Sequence, residues 1–313
     1  MLRNFSAWPK EQCNVHGVLI SMGLLSLYYY YHIDKCSLTG RRRFITITRH
    51  QFDTMCDLQS KLLLKQLQSF ILRDNDFRVL FIKRVARRLL SANTDLEMIK
   101  NFNWSVYVID AKLANVLVVP NGNIFVFTGM LDNFENEDQL GIVLGHEMAH
   151  AILGHGLEQA SWSQLLDSIM LIFIAIIWAA VPAVAAALTH WFAYTVMEIV
   201  TQLPHTRKLE IEADDFGLKM ASKACFDPRE VYAFWTAAMM KSKVKQEISL
   251  PDFLSTHPNH GDRAARLDPI IDEALKVRES CDCPPLKRYD PRILADVKKE
   301  MIERQLAMKG NIL

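Results

Sequence analysis

Two histidines four residues apart stand out in an otherwise apolar stretch of this 313-residue chain, GIVLGHEMAHAILGHG at residues 141–156. On a helix, His146 and His150 project from the same face, and two neutral imidazoles at that spacing can bind one Zn²⁺ at about 2.0–2.1 Å. Glu147 follows the first histidine, where its carboxylate can reach a water on the metal without being a ligand. A third ligand has to come from elsewhere, so the fold must bring a distant segment to this face.

The arrangement is the H-E-x-x-H pattern of zinc peptidases, although two histidines at this spacing can also occur by chance on a core helix. Metzincins extend the pattern to H-E-x-x-H-x-x-G-x-x-H, which needs glycine at position 153 and histidine at position 156. This chain has Leu153 and Gly156, with Gly154 and His155 each one place out of register. A slip of one residue rotates a helical side chain by about 100°. We therefore interpret His155 as a helix-end or surface histidine and not as the third ligand.

A better candidate for the third ligand lies downstream, in RKLEIEADDFG at residues 207–217. Glu210 and Asp214 share one helical face, whereas Glu212 points about 200° away from Glu210. We expect Glu210 to bind the metal and Asp214 to accept a hydrogen bond from the outer nitrogen of a ligating histidine. Taken alone, the same residues are also compatible with a solvated acidic helix start.

A third cluster, STHPNHGDRAARL at residues 255–267, contributes His257 and Arg263. Both can supply positive charge near a developing oxyanion. Pro258 favours an extended conformation at His257, as in a loop that faces a cleft. By spacing alone, an ordinary capped helix start is the alternative interpretation.

The motifs HEMAH, EIEAD and HPNHGDR occur in an order that resembles the M48 family of gluzincin metallopeptidases, and within it the Oma-type endopeptidases of the mitochondrial inner membrane. The resemblance extends over nearly the whole chain, through RRRFITIT, LVVPNGNIFVFTGML and CDCPPL. It implies one Zn²⁺ per chain, with three ligands: His146, His150 and Glu210. It also implies the remaining site residues, which are Glu147 as general base, Asp214 as the partner of a ligating histidine, and His257 with Arg263 as substrate or transition-state contacts.

The resemblance implies a gluzincin-type α+β fold, mostly helical, with a small antiparallel sheet beside the H-E-x-x-H helix and additional membrane-associated helices. The residue pattern predicts two helices and three strands before that helix, at 51–72 and 77–90, and at 104–110, 116–119 and 124–127. We divide the chain into an N-terminal tail (1–16), a transmembrane helix (17–33), a linker (34–43), a peptidase domain (44–284) and a C-terminal helix (285–313) capped by Asp290.

Two apolar segments suggest contact with a lipid bilayer. Residues 17–33 carry no charge and include a tyrosine cluster, but seventeen residues is at the short end for a membrane span. A signal-peptide core and an amphipathic anchor are the alternatives there. Residues 168–197 contain no Asp, Glu, Lys or Arg and are divided by Pro182. We expect a lipid-embedded helical hairpin within the peptidase domain, with buried core helices as the alternative.

Six cysteines, at positions 13, 36, 56, 225, 281 and 283, match no closed zinc knuckle. Cys281 and Cys283 are too close for a disulfide with each other. Two interpretations stay open for them: one of the pair joined to Cys225 in an oxidising compartment, or buried free thiols.

These observations predict a zinc-dependent, membrane-associated endopeptidase that cleaves membrane-anchored proteins near the bilayer. The resemblance implies inner-membrane quality control and stress response, with the catalytic domain in the intermembrane space. The arginines at 41–43 conflict with that orientation under the positive-inside rule, and we follow the resemblance. A catalytically silent zinc-binding scaffold or holdase, and an M48 peptidase of another membrane, are the alternatives. The net charge of +1 gives no field that favours nucleic acid, and a homo-oligomer stays open.

Overall fold

The computed structural model describes residues 10–180, 203–245 and 263–310. The helices found there are α1 (Lys10–Tyr31), α2 (Arg49–Leu67), α3 (Phe77–Ala92), α4 (Glu97–Asn101), α5 (Thr128–Leu131), α6 (Glu137–Leu153), α7 (His155–Ala180), α8 (Leu203–Lys223), α9 (Glu230–Lys245), α10 (Arg263–Glu279) and α11 (Pro291–Gly310). The strands are β1 (Ile33–Lys35), β2 (Arg42–Phe44), β3 (Ser105–Ile109), β4 (Val116–Val118) and β5 (Asn123–Phe127). The prediction of a mostly helical α+β fold is confirmed.

Local sequence signals set several of these boundaries. The side chain of Asn136 accepts a hydrogen bond from the backbone N–H of Gln139 and caps the start of α6. The same helix ends at Gly154, whose φ of 73° is a left-handed conformation that favours glycine. Asp290 caps α11 by accepting from the backbone N–H of Arg292, as its sequence predicts.

The sheet beside α6 is mixed, which corrects the predicted antiparallel sheet. Its strand order is β3–β5–β4, with β4 antiparallel and β3 parallel to β5. A tight turn through Gly122, at φ 95°, joins β4 to β5 and makes them run in opposite directions. Residues 110–115 connect β3 to β4. β3 pairs with the other edge of β5 and runs parallel to it. β4 therefore lies at an outer edge of the sheet, next to α6.

In the N-terminal region, the structure has a helix over most of the predicted membrane span and a hairpin at the predicted linker. Residues 34–43 belong to the antiparallel hairpin of β1 and β2. Phe44, the last residue of β2, is buried against Tyr29 of α1 and Trp162 of α7, and this packing holds the hairpin in place. α1 covers most of the predicted span at 17–33. None of the helices in the described ranges is long and apolar enough to cross a membrane.

Only the first part of the predicted membrane hairpin at 168–197 lies within the described residues. There α7 continues as a helix to its end at Ala180, and Leu171, Ile172 and Trp178 are exposed on it. Residues 181–202, with the proline that divides the segment, lie outside the described residues. Lipid contact at this segment therefore stays a prediction.

α6 runs through the middle of the core, and nearly every residue from 139 to 153 is buried. α8 packs directly against it. Gly145 lies against Gly217 and Ala221, and a Cβ added to Gly217 would lie 2.7 Å from both the backbone N and the Cα of His146. The two helices therefore touch backbone to backbone, an approach that requires glycine at these positions.

Gly217→Ala should lower the free energy of unfolding by about 1–3 kcal/mol, because the added methyl group has no space and must push α8 away from α6. Urea or thermal unfolding of the purified variant measures the change. Gly23→Ala is the matched control, since nothing lies within 4 Å of a Cβ at that position in α1. That alanine should be neutral or slightly stabilising, and an equal loss in both variants would contradict the close packing.

Candidate metal centre

Three side chains from two helices converge beside the core: His146 and His150 from α6, and Glu210 from α8. The Nε2 atoms of the two histidines lie 3.1 Å apart. Oε2 of Glu210 lies 3.5 Å from Nε2 of His146, and its Oε1 lies 3.3 Å from Nε2 of His150. The structure thus brings together the three residues that the sequence predicts as ligands.

This donor set fits a zinc ion. One ligand atom from each of the three residues lies within 4.8 Å of the others, and the two Nε2 atoms, 3.1 Å apart, are close to the separation of about 3.3 Å expected for two ligand atoms about 2.0–2.1 Å from a tetrahedral Zn²⁺. Two imidazole nitrogens and one carboxylate oxygen are also the ligand set of zinc hydrolases that keep a fourth position open. His146 and Glu210 are buried, with 5% of each residue exposed, so a cation between them would offset the cost of burying the carboxylate.

The pKa values of the two histidines reflect these surroundings. Burial by itself lowers the pKa of His146, but hydrogen bonds to Asp214 and Glu210 outweigh it and the pKa is raised. The pocket around His146 therefore favours a positive charge. Burial lowers the pKa of His150 to about 4, so this imidazole is neutral at pH 7 and offers a lone pair to a metal.

Asp214, predicted as the partner of a ligating histidine, lies next to His146. Its Oδ1 is 3.0 Å from Nδ1 of His146. Arg263 of α10 donates to the carboxylate from Nε, at 3.0 Å, and from Nη2, and Arg266 donates from 2.8 Å. Burial raises the pKa of Asp214, but the charge of Arg263 and the hydrogen bond from His146 outweigh it and bring the pKa to about 2. The ionised carboxylate keeps the proton on Nδ1 of His146, which leaves Nε2 free to face a metal.

Arg263, which the resemblance implies as a substrate or transition-state contact, faces two carboxylates in the structure. Its guanidinium is buried, lies 3.8 Å from the ring centroid of Trp235, and reaches Oε2 of Glu210 at 3.3 Å. It therefore holds the carboxylates of Glu210 and Asp214 in place. His257, its predicted companion, lies outside the described residues.

Glu147 follows the first ligand on α6 and is buried. Its carboxylate does not belong to the converging group of ligand atoms found among the described residues. The negative charge of Glu147 acts to raise the pKa of His150, but burial outweighs it. The role of general base for Glu147 stays a prediction.

His155 is buried, with 2% of the residue exposed, so it is not a surface histidine. The left-handed Gly154 ends α6 immediately before it, and His155 turns back so that its Nδ1 lies 2.9 Å from Nδ1 of His150. On an uninterrupted helix, a residue five places after His150 would point about 140° away. His155 therefore contacts a predicted ligand from outside, and its Nε2 lies 3.0 Å from Oε2 of Glu212.

A partly buried charged network beyond His155 has no counterpart in the sequence predictions. Arg41, in the turn of the β1–β2 hairpin, contacts Glu212 at 2.8 Å and reaches Glu158 of α7 with two nitrogens. His205 of α8 lies 3.1 Å from the same Glu158. Burial raises the pKa of Glu158, but hydrogen bonds from Arg41 and His205 outweigh it and bring the pKa to about 2. The RRR run is the only sequence signal for this network, and it does not identify the partners.

Cys225 and Cys283 form a disulfide, with Cα atoms 5.3 Å apart, and Cys281 is free. This decides between the two interpretations of the downstream cysteines. Because Cys225 follows the end of α8, the bond ties the helix that carries Glu210 to the segment between α10 and α11.

A helix with H-E-x-x-H, facing a glutamate of a second helix, defines the class of site: a gluzincin-type metallopeptidase centre. The chain belongs to Peptidase family M48, whose sequence profile matches residues 80–271. This range contains the whole of α6 and α8 and the start of α10. It is narrower than the predicted domain at 44–284.

Relatives are similar to this chain over most of its length. "Metalloendopeptidase OMA1, mitochondrial" of Homo sapiens is 39% identical over 278 residues, which cover 88% of this chain and 53% of the relative. The protein of the same name in Danio rerio is 36% identical over 303 residues, covering 93% and 63%. "Mitochondrial metalloendopeptidase OMA1" of Saccharomyces cerevisiae is 27% identical over 276 residues, covering 85% and 77%. The chain spans about half the length of the human relative that it matches.

Cys225→Ser should lower the free energy of unfolding by about 2–4 kcal/mol, because the disulfide closes a loop with a sequence separation of 58 residues. Urea unfolding under non-reducing conditions measures the loss. Cys281→Ser is the matched control, since its thiol is free and close in sequence to the same bond. Equal stability of the two variants would mean that the disulfide contributes nothing in solution.

Proposed function

We propose that this chain is a zinc-dependent, membrane-associated endopeptidase that cleaves membrane-anchored proteins near the bilayer. The observation that carries this proposal is the convergence of His146, His150 and Glu210, with Glu147 beside them. Membership of Peptidase family M48 and similarity to proteins named metalloendopeptidase support it.

The reaction is the hydrolysis of a peptide bond, with one Zn²⁺ per chain held by His146, His150 and Glu210. When bound, Zn²⁺ supplies Lewis acidity, which polarises the peptide carbonyl and lowers the pKa of a water. Glu147 acts as the general base, accepts a proton from the attacking water and delivers it to the leaving amine.

The surrounding residues hold this geometry. Asp214 orients His146 through the contact at Nδ1, and Arg263 holds both Asp214 and Glu210. His257 supplies the positive contact to the oxyanion that the family resemblance implies. In this assignment Arg263 is a positioning residue, because its contacts are with carboxylates.

The substrate binds in an extended conformation along β4. This strand lies at an outer edge of the mixed sheet and packs against α6, which carries the predicted base and two ligands. Strand addition uses backbone hydrogen bonds and reads side chains weakly. We therefore expect loose sequence specificity, with selection among substrates determined by where a protein is anchored.

Three separate observations support the cellular location that we propose for this chain. The exposed apolar side chains of Leu171, Ile172 and Trp178 on α7 suit contact with lipid close to the site. The relatives are named mitochondrial, and we assign this chain to the mitochondrial inner membrane, in quality control and stress response. The Cys225–Cys283 disulfide suits an oxidising compartment, so we orient the catalytic domain toward the intermembrane space.

The buried position of Glu147 also separates an enzyme from the alternative of a silent scaffold or holdase. A purely structural zinc site needs ligands but no base. A carboxylate buried next to two metal-ligating histidines costs free energy, and a role in proton transfer accounts for its presence.

Glu147→Gln should retain zinc but lower kcat by about 10²–10⁴-fold, because the ligands stay and the proton acceptor is removed. Cleavage of a membrane-anchored reporter by the full chain in liposomes, together with metal analysis, measures both effects. Glu137→Gln is the matched control, since it makes the same chemical change in the first turn of the same helix and should leave kcat unchanged. Cleavage by Glu147→Gln at the parent rate would exclude the assigned base.

A photoactivatable apolar lipid probe should label residues around 171–178 heavily when the full chain is reconstituted in liposomes. The reason is that the large apolar side chains exposed there would be buried in lipid. Ile293 and Leu294 of α11 serve as an internal control, because they are exposed and apolar but lie outside the predicted membrane segments. Labelling confined to residues 17–33 would mean that the segment at 168–197 is an interior core.

A further inference from the structure

The hydrogen bonds around His150 determine which of its nitrogens carries the proton. Nε2 of His150 faces Nε2 of His146 and Oε1 of Glu210, where the metal would be held. A neutral imidazole has one N–H, so Nε2 can offer its lone pair only when the proton is on Nδ1. That Nδ1 lies 2.9 Å from Nδ1 of His155. His150 therefore donates this hydrogen bond, and His155 accepts it.

The same reasoning shows whether Nε2, the second nitrogen of His155, carries a proton. Because its Nδ1 accepts, its Nε2 carries the proton and donates to Oε2 of Glu212 at 3.0 Å. Glu212 is in turn held by Arg41, whose Nε lies 2.8 Å from Oε2, and by the hydroxyl of Thr39 at 2.5 Å from Oε1. The chain of donors thus runs from a predicted ligand to a carboxylate anchored on the β1–β2 hairpin.

We propose that His155 is a positioning residue for the metal, which fixes the ring orientation and tautomer of His150, and that Glu212 fixes His155. The inference rests on the zinc site proposed above. It gives each histidine ligand its own support: Asp214 contacts His146 directly, whereas Glu212 acts on His150 through the second imidazole. Mutation of a residue that orients a metal ligand typically lowers the metal affinity by about 10–100-fold.

Gly154 makes this arrangement available. α6 ends at Leu153, and α7 begins at His155. Gly154, in its left-handed conformation, is the single residue between the two helices. The chain therefore reverses the direction of the His155 side chain, which a continuous helix would point away from His150. In this fold the glycine directs a histidine to the outer nitrogen of a ligand and not to the metal position.

A purely structural role is the competing explanation, because Arg41 also ties the hairpin to α7. Glu158 separates the two roles. It receives two nitrogens of Arg41 and contacts His205, so it belongs to the tether, whereas Glu212 contacts both Arg41 and His155. Loss of Glu158 should loosen the hairpin and leave the orientation of His150 intact.

The test uses the full chain with zinc alone as the probe, and measures the Kd by competition with a chromophoric chelator. His155→Leu should weaken zinc binding about 10–100-fold and change the visible absorption of the Co²⁺-substituted protein, because the ring of His150 is no longer held. His155→Gln should retain most of the affinity, since its amide can accept from His150 and donate to Glu212.

Glu212→Gln and Glu158→Gln form the matched pair of carboxylate variants. Glu212→Gln should weaken zinc binding, whereas Glu158→Gln should lower the melting temperature of the metal-free protein without changing the Kd for zinc. The melting temperature of every metal-free variant reports whether the fold is retained. Parent-like zinc affinity and Co²⁺ absorption in His155→Leu would overturn the proposal, and so would an equal loss of affinity in Glu212→Gln and Glu158→Gln.

Glu210→Ala distinguishes failure of this inference from failure of the zinc site itself. If the parent binds no zinc, or if Glu210→Ala binds it as tightly as the parent, both the metal site and the role of His155 are overturned. If Glu210→Ala loses zinc while His155→Leu keeps parent-like affinity, the zinc site stands and only the positioning role fails.

Discussion

The candidate metal centre depends on the backbone contact between α6 and α8. There is no space for a Cβ between Gly217 and the backbone of His146. The two helices therefore approach more closely than they could with any larger residue at position 217. Glu210, Asp214 and Gly217 recur at i, i+4 and i+7 and form one stripe along α8. The face that makes the close contact is therefore the same face that carries the candidate ligand Glu210 and its neighbour Asp214.

Two groups of charged residues contact the outer nitrogens of the two candidate histidine ligands. Behind His146, Asp214 is held by Arg263, which comes from α10. Behind His150, the contacts pass through His155 and Glu212 and end at an arginine of the β1–β2 hairpin. Asp214 and Glu212 are each paired with a guanidinium from a distant part of the chain, which offsets the cost of taking their charges out of water. The centre therefore links the N-terminal hairpin and a helix near the C-terminus to α6 and α8.

Sequence reasoning was accurate where a regular helix continues and inaccurate where it stops. The i,i+4 spacings place His150 on one helical face with His146, and Glu210 on one face with Asp214. The structure brings His150 and Glu210 together. The expectation for His155 assumed that α6 runs on through Gly154, and the left-handed glycine invalidates that assumption. The predicted linker at 34–43 likewise contained no local signal for its partners, since the residues that contact its arginine lie more than a hundred positions away.

The sequence by itself determined the H-E-x-x-H helix, the i,i+4 carboxylates and the mostly helical composition, because helical periodicity is a local property of neighbouring residues. Only the tertiary structure decided which cysteine pairs with Cys225, in which direction β3 runs beside β5, and which groups surround Arg263 and His155. Those outcomes depend on contacts between segments far apart in sequence. Such contacts are selected by packing and by the need to pair buried charges, and no spacing within one segment records them.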